Sequence, residues 1–290
     1  MNVTRCRTRL RDALASKECV FPASVFDPIS ARIAESLGFD IGMLAGSVAS
    51  AVVLGAPDLV LLTLSELAEQ VRRIARASSL SLIVDADHGY GNALNVMRTV
   101  EELESAGAAG LTIEDTVLPE AFAEPTVESL IPIPEFVAKL KAALVARQDS
   151  SLVIMGRTAA LRTQGITEAS ARIRACTSAG VDAVFLVGAK DPEEVRTLSQ
   201  ETSLPLLLGA IPPELEDRTF LAAHGVRAAL QGHIPFMVMI KALCGAYQEL
   251  KGGASSADMK DKVAAREVID AVLRAADYAR WRRQYLEKKD

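Results

Sequence analysis

The stretch IVDADHGYGN at residues 83–92 joins an apolar run to two carboxylates and then to a glycine-rich turn. Because alternate side chains of a strand point to the same face, Asp85 and Asp87 can point one way where the strand ends. The pattern recurs in GLTIED at residues 110–115, where a second apolar run ends in acidic residues. Carboxylates at the carboxyl ends of neighbouring parallel strands repel one another unless a hard cation lies between them, and this predicts a Mg²⁺ site at Asp85, Asp87 and Glu114.

Short apolar runs alternate with amphipathic stretches along nearly the whole chain. Strands are predicted at residues 20–24, 41–44, 81–84, 110–113, 152–155, 183–187, 204–208 and 228–230. Helices are predicted at residues 30–37, 64–77, 93–106, 134–146, 168–179, 192–198, 213–223 and 235–250. Since parallel strands need helical crossovers, this alternation predicts an α/β fold, a (β/α)8 TIM barrel. A doubly wound open sheet is the alternative, but no GxGxxG motif follows the first strand.

The chain continues beyond what a minimal barrel needs. We expect a catalytic barrel domain over residues 1–252 and a C-terminal helical extension over residues 253–290, with helices at 259–276 and 277–288. The extension can pack on its own barrel or on a neighbouring subunit, and the residues alone leave both open.

Composition excludes several classes of protein. The 290 residues carry a formal net charge of −5, whereas a nucleic-acid-binding domain usually presents a basic face. The four cysteines have no paired spacing, which disfavours zinc sites and disulfide frameworks. The mainly apolar segment at residues 42–62 contains Ser, Pro and Asp, so we interpret it as a strand plus an active-site loop rather than a membrane span. We expect a cytoplasmic protein whose partner is a small molecule, without nucleic acid or membrane.

Further polar residues follow predicted strands, where a barrel places its active site. Residues 45–50 form a small-residue turn whose N–H groups and Ser47 hydroxyl can hold an anion. Arg157 follows the fifth strand, where it either binds a substrate carboxylate or neutralises the acidic residues. His233 follows the eighth strand and is either a site residue or a core histidine. His88 either supports the site by hydrogen bonding or acts directly.

Together these residue types suit one chemistry. Carboxylates hold Mg²⁺ while the ion keeps several waters, and an α-keto acid can replace waters through its keto oxygen and C1 carboxylate. Arg157 can bind that carboxylate through two parallel hydrogen bonds. The metal acts as a Lewis acid that stabilises an enolate when a bond to C3 breaks. The residues therefore indicate an enzyme that makes or breaks a bond beside the ketone of an α-keto acid.

Several motifs carry a family resemblance. They are SVFDPISA at 24–31, LAGS at 44–47, APD at 56–58, DADHGYG at 85–91, TIED at 112–115 and GRT at 156–158. On these motifs the chain resembles the isocitrate lyase/phosphoenolpyruvate mutase superfamily over essentially its full length. The resemblance implies a barrel whose eighth helix is swapped between subunits of a homodimer or homotetramer. It also implies Mg²⁺, or Mn²⁺, as the cofactor and α-oxycarboxylates as ligands.

The loop after the fourth strand indicates the branch. The segment TVLPEAFAEP at residues 116–125 lacks the cysteine of isocitrate-type lyases and the Asp-Lys of phosphonate-processing members. The chain is most similar to the oxaloacetate decarboxylase branch through residues 85–98, 112–116 and 232–233. This likeness implies decarboxylation of oxaloacetate to pyruvate and CO₂ through a metal-stabilised enolate, catalysed by a carbon–carbon lyase.

The resemblance also implies residue roles. Asp85, Asp87 and Glu114 would bind the metal, directly or through water. Ser47, Arg157 and His233 would bind the substrate, and Arg157, His233 and Asp58 would take part in catalysis.

Two segments depart from that branch. Residues 209–213, GAIPP, stand where the decarboxylases have a tyrosine-containing segment, and Ala159 stands where they have Asn or Asp. Loss of these polar contacts favours two alternatives. One is a lyase or hydrolase acting on another C3-substituted 2-oxo acid or malate derivative; the other is a non-catalytic barrel that binds an α-keto acid.

Overall fold

Eight parallel strands in sequential order form the sheet of this computed structural model, which describes residues 3–120 and 128–287. The strands are β1 Ala23–Ser24, β2 Ile41–Leu44, β3 Ser81–Asp85, β4 Gly110–Glu114, β5 Val153–Thr158, β6 Ala183–Val187, β7 Leu206–Gly209 and β8 Val226–Ala229. A parallel bridge between Val20 and Ala228 joins the segment before β1 to β8. This bridge closes the sheet, so the predicted (β/α)8 barrel is confirmed.

Helices follow the strands around the barrel. They are α1 Val3–Ala15, α2 Pro28–Ser36, α3 Gly46–Leu54, α4 Leu64–Ala77, α5 Ala93–Ala106, α6 Ile133–Ala146, α7 Ala160–Thr163, α8 Ile166–Ala179, α9 Pro192–Ser199, α10 Arg218–Ala223, α11 Ile234–Lys251, α12 Arg266–Val272 and α13 Ala275–Tyr285. Short 3₁₀ turns lie at Pro213–Leu215 and Lys260–Lys262. Among the described residues, no helix has the length and apolarity needed to cross a bilayer.

Local signals explain why α4 and α5 have the predicted bounds. Thr63 caps α4 through a capping box with Glu66, and Asn92 caps α5 in the same way with Asn95. Such reciprocal bonds satisfy N–H groups that the first helical turn leaves free. At the other end of α5, Gly107 adopts a left-handed conformation that closes the helix.

Several local predictions are wrong. The expected small-residue turn at 45–50 is the start of helix α3, and α1 and α7 were not predicted. The helix expected over 259–276 begins only at Arg266 and ends where Arg274 turns left-handed with a φ of 57°. Part of the loop at 116–125 and the end of the helix expected at 277–288 lie outside the described residues.

Helix α1 closes the bottom of the barrel. Its Leu10 and Leu14 belong to the inner apolar cluster, together with residues of β2, β3 and β5 to β8 such as Ile83 and Met155. Arg7 donates to the Ala108 carbonyl, which precedes β4, at 3.0 Å. The amino-terminal end of the barrel is therefore covered, which leaves the carboxyl ends of the strands for a site.

The C-terminal extension lies against the barrel of its own chain. Arg32 on α2 donates through Nη1 to the Val272 carbonyl of α12 at 3.1 Å, and Val272 is buried. Helix α11 is different, because Phe236 is its buried residue and most of its large apolar side chains are exposed.

Candidate active site

Three neighbouring strands bring two carboxylates and one guanidinium together. Asp85 ends β3, and Glu114 at the end of β4 is in register with Arg157 near the end of β5. Arg157 donates through Nη1 to Asp85 Oδ2, and its Nε lies 3.1 Å from Glu114 Oε2. The guanidinium also lies 5.7 Å from the centre of the Phe185 ring on β6. Arg157 therefore lies between the acidic groups that the sequence assigned to a metal.

Asp85 is held in place by further hydrogen bonds. Its Oδ1 accepts from Thr112 Oγ1 at 3.1 Å and from the Asp87 backbone N–H at 3.3 Å. Thr112 is buried on β4, two residues before Glu114, so both side chains lie on the same face of the strand. The carboxylate is thus fixed before any ligand arrives.

Asp87 lies in the turn after β3, beside the start of α3. A Cβ added to Gly46 would lie 2.6 Å from Asp87 Oδ1, so the carboxylate occupies the space of the missing side chain. The Tyr90 hydroxyl is 3.5 Å from Asp87 Oδ2. Ser47, the next residue of α3, is partly buried at this helix amino terminus, where backbone N–H groups favour an anion. The anion-holding role of residues 45–50 stays a prediction, and the backbone that would provide it is a helix end rather than a turn.

The acidic groups have an excess of negative charge. Burial raises the pKa of Asp87 well above its usual value, and the charges of Asp85, Glu114 and Asp58 raise it further. Burial also raises the pKa of Glu114 to about 7, although Arg157 opposes the shift. A bound cation favours the ionised form of a carboxylate, so carboxylates with raised pKa values are stabilised in that form when a cation binds.

The donor chemistry fits a hard divalent cation. Oxygen ligands from one or two carboxylates plus water suit Mg²⁺ in proteins. In residues 3–120 and 128–287, however, no group of three or more His, Cys, Asp or Glu side chains is arranged to hold a metal as it stands. Arg157 contacts both Asp85 and Glu114, and a cation binding there would replace part of the charge that Arg157 now supplies. The ligand set Asp85, Asp87 and Glu114 stays a prediction.

His233 lies directly before α11. Its Nδ1 is 3.0 Å from Ser24 Oγ at the end of β1. Burial lowers the pKa of His233 below its usual 6.5, although Asp85 and Asp58 oppose the shift. The imidazole is therefore mainly neutral at pH 7.

Asp58 is exposed on the loop after α3. Partial burial and the Asp85 charge raise the pKa of Asp58, whereas Arg157 and His233 lower it. The preceding Pro57 carbonyl accepts a hydrogen bond from the buried Ser50 Oγ at 3.0 Å, which anchors this loop. Asp58 is thus within electrostatic reach of the other predicted site residues.

Comparison with known proteins places these residues in a family. The family model for phosphoenolpyruvate phosphomutase matches residues 10–251. The chain belongs to this family. It is 52% identical over 270 residues to a protein of Rhodopseudomonas palustris (strain BisB5) named oxaloacetate decarboxylase, covering 93% of each chain. It is 48% identical over 281 residues to a protein of the same name from Bradyrhizobium sp. (strain BTAi1), covering 97% of each.

Solved structures of the superfamily have the same fold. The phosphomutase-family chain matches 2,3-dimethylmalate lyase, a PEP mutase/isocitrate lyase superfamily member, with a TM-score of 0.84 and 30% identity, covering 96% of this chain and 98% of that one. It matches phosphonopyruvate hydrolase in complex with oxalate and Mg²⁺ with a TM-score of 0.87 and 28% identity, covering 99% and 100%. The resemblance drawn from the motifs is confirmed.

Three further titratable residues of this family member have other side-chain contacts. Asp115, next to Glu114 in sequence, is fully buried and pairs with Arg172 at 3.0 Å. The Nδ1 atom of His88 is buried without a hydrogen-bond partner among the described residues, so it supports no carboxylate through that atom. His224 ends α10 and its Nδ1 lies 2.8 Å from the Phe220 carbonyl.

The sequence did not reveal four residues that contact the predicted site. They are Ser24, Tyr90, Thr112 and Phe185. Thr112 could have been found from the alternation along β4, since it precedes Glu114 by two positions. Phe185 is the register partner of Arg157 in the pairing of β5 with β6, and Ser24 contacts His233 from the other end of the chain. No local sequence pattern predicts either contact.

Residues 209–213 and Ala159, which differ from the decarboxylase pattern, include buried positions. Ile211 is buried in the outer apolar cluster between strands and helices, and its N–H donates to the Leu230 carbonyl at 2.8 Å. Gly209 leaves room for Phe185, because an added Cβ would lie 2.8 Å from the Phe185 ring. Ala159 is buried, and its N–H lies 3.4 Å from Asp115 Oδ1. The apolar substitution at Ile211 therefore fills the core, and Gly209 accommodates the ring beside Arg157.

Proposed function

We propose that this protein decarboxylates oxaloacetate to pyruvate and CO₂ with Mg²⁺, or Mn²⁺, as cofactor. The observation that supports this most is the group of carboxylates at the ends of β3 and β4 with Arg157 between them. The relatives named oxaloacetate decarboxylase, at 48% and 52% identity over nearly the whole chain, support the choice of substrate.

Asp85, Asp87 and Glu114 would hold the cation, directly or through water. When bound, the cation supplies a Lewis acid for the keto group of the substrate. A solved relative of this fold contains both oxalate and Mg²⁺, which supports the choice of metal. The raised pKa values of Asp87 and Glu114 support the same site, since neither carboxyl has enough positive charge near it to favour its ionised form.

Arg157 and Ser47 would bind the C1 carboxylate of the substrate. Arg157 now supplies the positive charge that Asp85 and Glu114 need, and a cation would take over that role. The guanidinium is then available for bidentate hydrogen bonds to a carboxylate. Ser47 adds its hydroxyl and the amino terminus of α3, both of which favour an anion.

His233 and Asp58 would act at the other end of the substrate. As the C3–C4 bond breaks, CO₂ leaves without charge, so a cation beside the C4 carboxylate would stabilise the reactant more than the transition state. A mainly neutral His233 avoids that penalty. The electron pair stays on the three-carbon fragment, and C3 then takes a proton, for which the Asp58 carboxyl, with a pKa raised by burial and by Asp85, is the candidate donor. Neutral His233 would donate a hydrogen bond at this end of the substrate.

The test is pyruvate formation from oxaloacetate, measured with Mg²⁺ and with a chelator. Spontaneous metal-catalysed decay, measured without protein, sets the background. We expect turnover above background that Asp85→Asn abolishes. Asp191→Asn is the matched control, because Asp191 is an exposed cap of α9 and Asn caps helices equally well. Turnover no faster than background for the unaltered protein would reject oxaloacetate as the substrate.

A second candidate is a lyase or hydrolase acting on a C3-substituted 2-oxo acid or malate derivative. The absence of polar side chains at Ala159 and Ile211 favours it, as does the 30% identity to 2,3-dimethylmalate lyase. A panel of such acids, compared with oxaloacetate by kcat/KM, separates the two candidates. Oxalate binding without any turnover would instead indicate a barrel that only binds an α-keto acid.

We also propose that residues 1–252 form the catalytic barrel and that residues 253–290 form an extension used in a homodimer or homotetramer. Helix α11 leads into this extension with Ile234, Met237 and Val238 exposed by 59%, 62% and 59%. A continuous apolar helix face of this kind marks an interaction surface, here for another copy of the chain. Native mass spectrometry is expected to show dimers or tetramers, and a stable monomer at micromolar concentration would contradict the proposal.

A further inference from the structure

The turn that carries Asp87 has an unusual backbone. Asp87 and Tyr90 have positive φ values of 46° and 59°, and Gly89 and Gly91 between and beyond them have 81° and 144°. Residues other than glycine rarely adopt such values and keep them only where the surrounding structure holds them. The position of the Asp87 carboxylate therefore depends on whatever holds this turn.

Backbone contacts hold part of the turn. The Glu114 N–H donates to the Asp87 carbonyl at 2.9 Å, and the Gly89 N–H donates to the Ala86 carbonyl at 2.9 Å. The carbonyls of His88 and Gly89 accept hydrogen bonds from side chains instead, and both donors lie on helices outside the sheet. There the Gly89 carbonyl accepts from Thr99 Oγ1 on α5 at 3.1 Å.

The His88 carbonyl accepts from Lys139 Nζ on α6 at 3.0 Å. Lys139 is 3% exposed, and the charges of Glu135 and Glu114 act on its ammonium group. Among the described residues its only side-chain hydrogen bond goes to the His88 carbonyl, and no ion pair joins it to a carboxylate. Lysine is almost never fully buried without a charged partner, because removing its charge from water is costly. Lys141, two residues further along α6, is exposed and shows the usual placement.

We propose that Lys139 is a positioning residue for the divalent cation, which it serves by holding the His88 carbonyl and thereby the Asp87 carboxylate. Thr99 assists at the next carbonyl. The inference rests on the proposed function, in which Asp87 is a metal ligand. Lys139 acts through the backbone of the turn and touches neither metal nor substrate.

The possible roles of Lys139 predict different effects on metal binding when Lys139 is replaced by Met. If its charge alone mattered, removal of a cation near the carboxylates would tighten metal binding. If Lys139 only filled space, the folded protein would bind metal as before with a lower Tm. If it positions Asp87, metal binding weakens in protein that is still folded.

The experiment measures Mn²⁺ binding to the full chain by electron paramagnetic resonance and by calorimetry, without substrate. Circular dichroism checks folding, and all titrations are made well below Tm. Loss of a residue that orients a metal ligand typically weakens metal affinity by about 10- to 100-fold, and we expect this range for Lys139→Met. Lys141→Met is the matched control, with a dissociation constant within about twofold of the unaltered protein.

Thr99→Val provides a second variant with little change of shape, and it should weaken Mn²⁺ binding in the same direction. Unchanged or tighter Mn²⁺ binding by folded Lys139→Met would overturn the inference. If Lys139→Met does not fold, an unchanged Mn²⁺ affinity of Thr99→Val would overturn it instead. If the unaltered protein binds no Mn²⁺, the metal site itself is rejected and this inference with it. A protein that binds Mn²⁺ but does not turn over oxaloacetate rejects only the proposed reaction.

Discussion

Replacement of Gly46 by Ala tests the close approach of Asp87 to helix α3. The new methyl group would lie 2.6 Å from Asp87 Oδ1, and an ordinary contact begins at 3.4 Å. The carboxylate must therefore move by roughly 0.8 Å, or α3 must move by the same amount. Gly46 has no left-handed φ, so the backbone accepts alanine, and the effect falls on Asp87 rather than on folding.

The size of the effect follows from that displacement. A misplacement of about 1 Å at a reacting centre can lower the rate by about 10²-fold, which corresponds to about 2.7 kcal/mol in the activation free energy. We expect kcat/KM for oxaloacetate to fall by about that factor, with Tm changed by only a few degrees. The assay is initial pyruvate formation at saturating Mg²⁺, corrected for decay without protein.

Gly245→Ala is the matched control, since Gly245 lies in helix α11 with no atom within 4 Å of an added Cβ. It should leave kcat/KM unchanged. If Gly46→Ala keeps a kcat/KM within about threefold of the unaltered protein, Asp87 does not need its observed position, and the reasoning from this contact fails.

Three further outcomes are expected. Burial raises the pKa of Glu114 to about 7. Protonated Glu114 therefore stabilises the folded metal-free protein at low pH, and this stabilisation is lost as the pH rises through about 7. Glu114→Gln should therefore raise Tm more at pH 8 than at pH 5. Arg172→Met leaves the fully buried Asp115 without its partner, and denaturant titration should show a loss of about 3–5 kcal/mol in the free energy of unfolding. Ser24→Ala removes the hydroxyl that orients His233, so kcat should fall by about tenfold while the Mn²⁺ dissociation constant stays unchanged.

The first of the following checks is a control variant, and the other two are results that would contradict the expectation. Arg174→Met breaks an exposed ion pair with Glu201 two residues beyond Arg172 and should cost less than about 1 kcal/mol. Glu114→Gln with the same Tm difference at both pH values would show that Glu114 titrates near its usual pKa. A Ser24→Ala variant with weakened Mn²⁺ binding would place Ser24 in the metal site rather than beside the imidazole.

Elements with local signals were predictable from the sequence. The bounds of α4 and α5 follow from capping residues at Thr63 and Asn92 and from a glycine stop at Gly107. The buried strands β2 to β7 are short aliphatic runs, and their alternation with helices indicated the barrel. The carboxylates at Asp85 and Glu114 follow from their place at strand ends.

The remaining features depend on contacts between distant segments. Helix α1 carries several arginines, and its packing under the barrel through Leu10 and Leu14 stabilises it. Helix α3 consists of small and β-branched residues, so its pattern favoured a loop. The place of Arg157 after β5 indicated that it either binds a substrate carboxylate or neutralises the acidic residues, and the structure shows the pairing with Asp85 and Glu114. The Lys139 bond to a backbone carbonyl joins residues more than 40 positions apart. No periodicity or motif encodes such contacts.

The most direct measurement is anomalous diffraction from crystals grown with Mn²⁺ and oxalate. We predict an anomalous peak bordered by Asp85 and Asp87, with the Arg157 guanidinium turned from Glu114 to an oxalate carboxylate. An Arg157 that still bridges Asp85 and Glu114, with no anomalous peak beside them, would contradict the account.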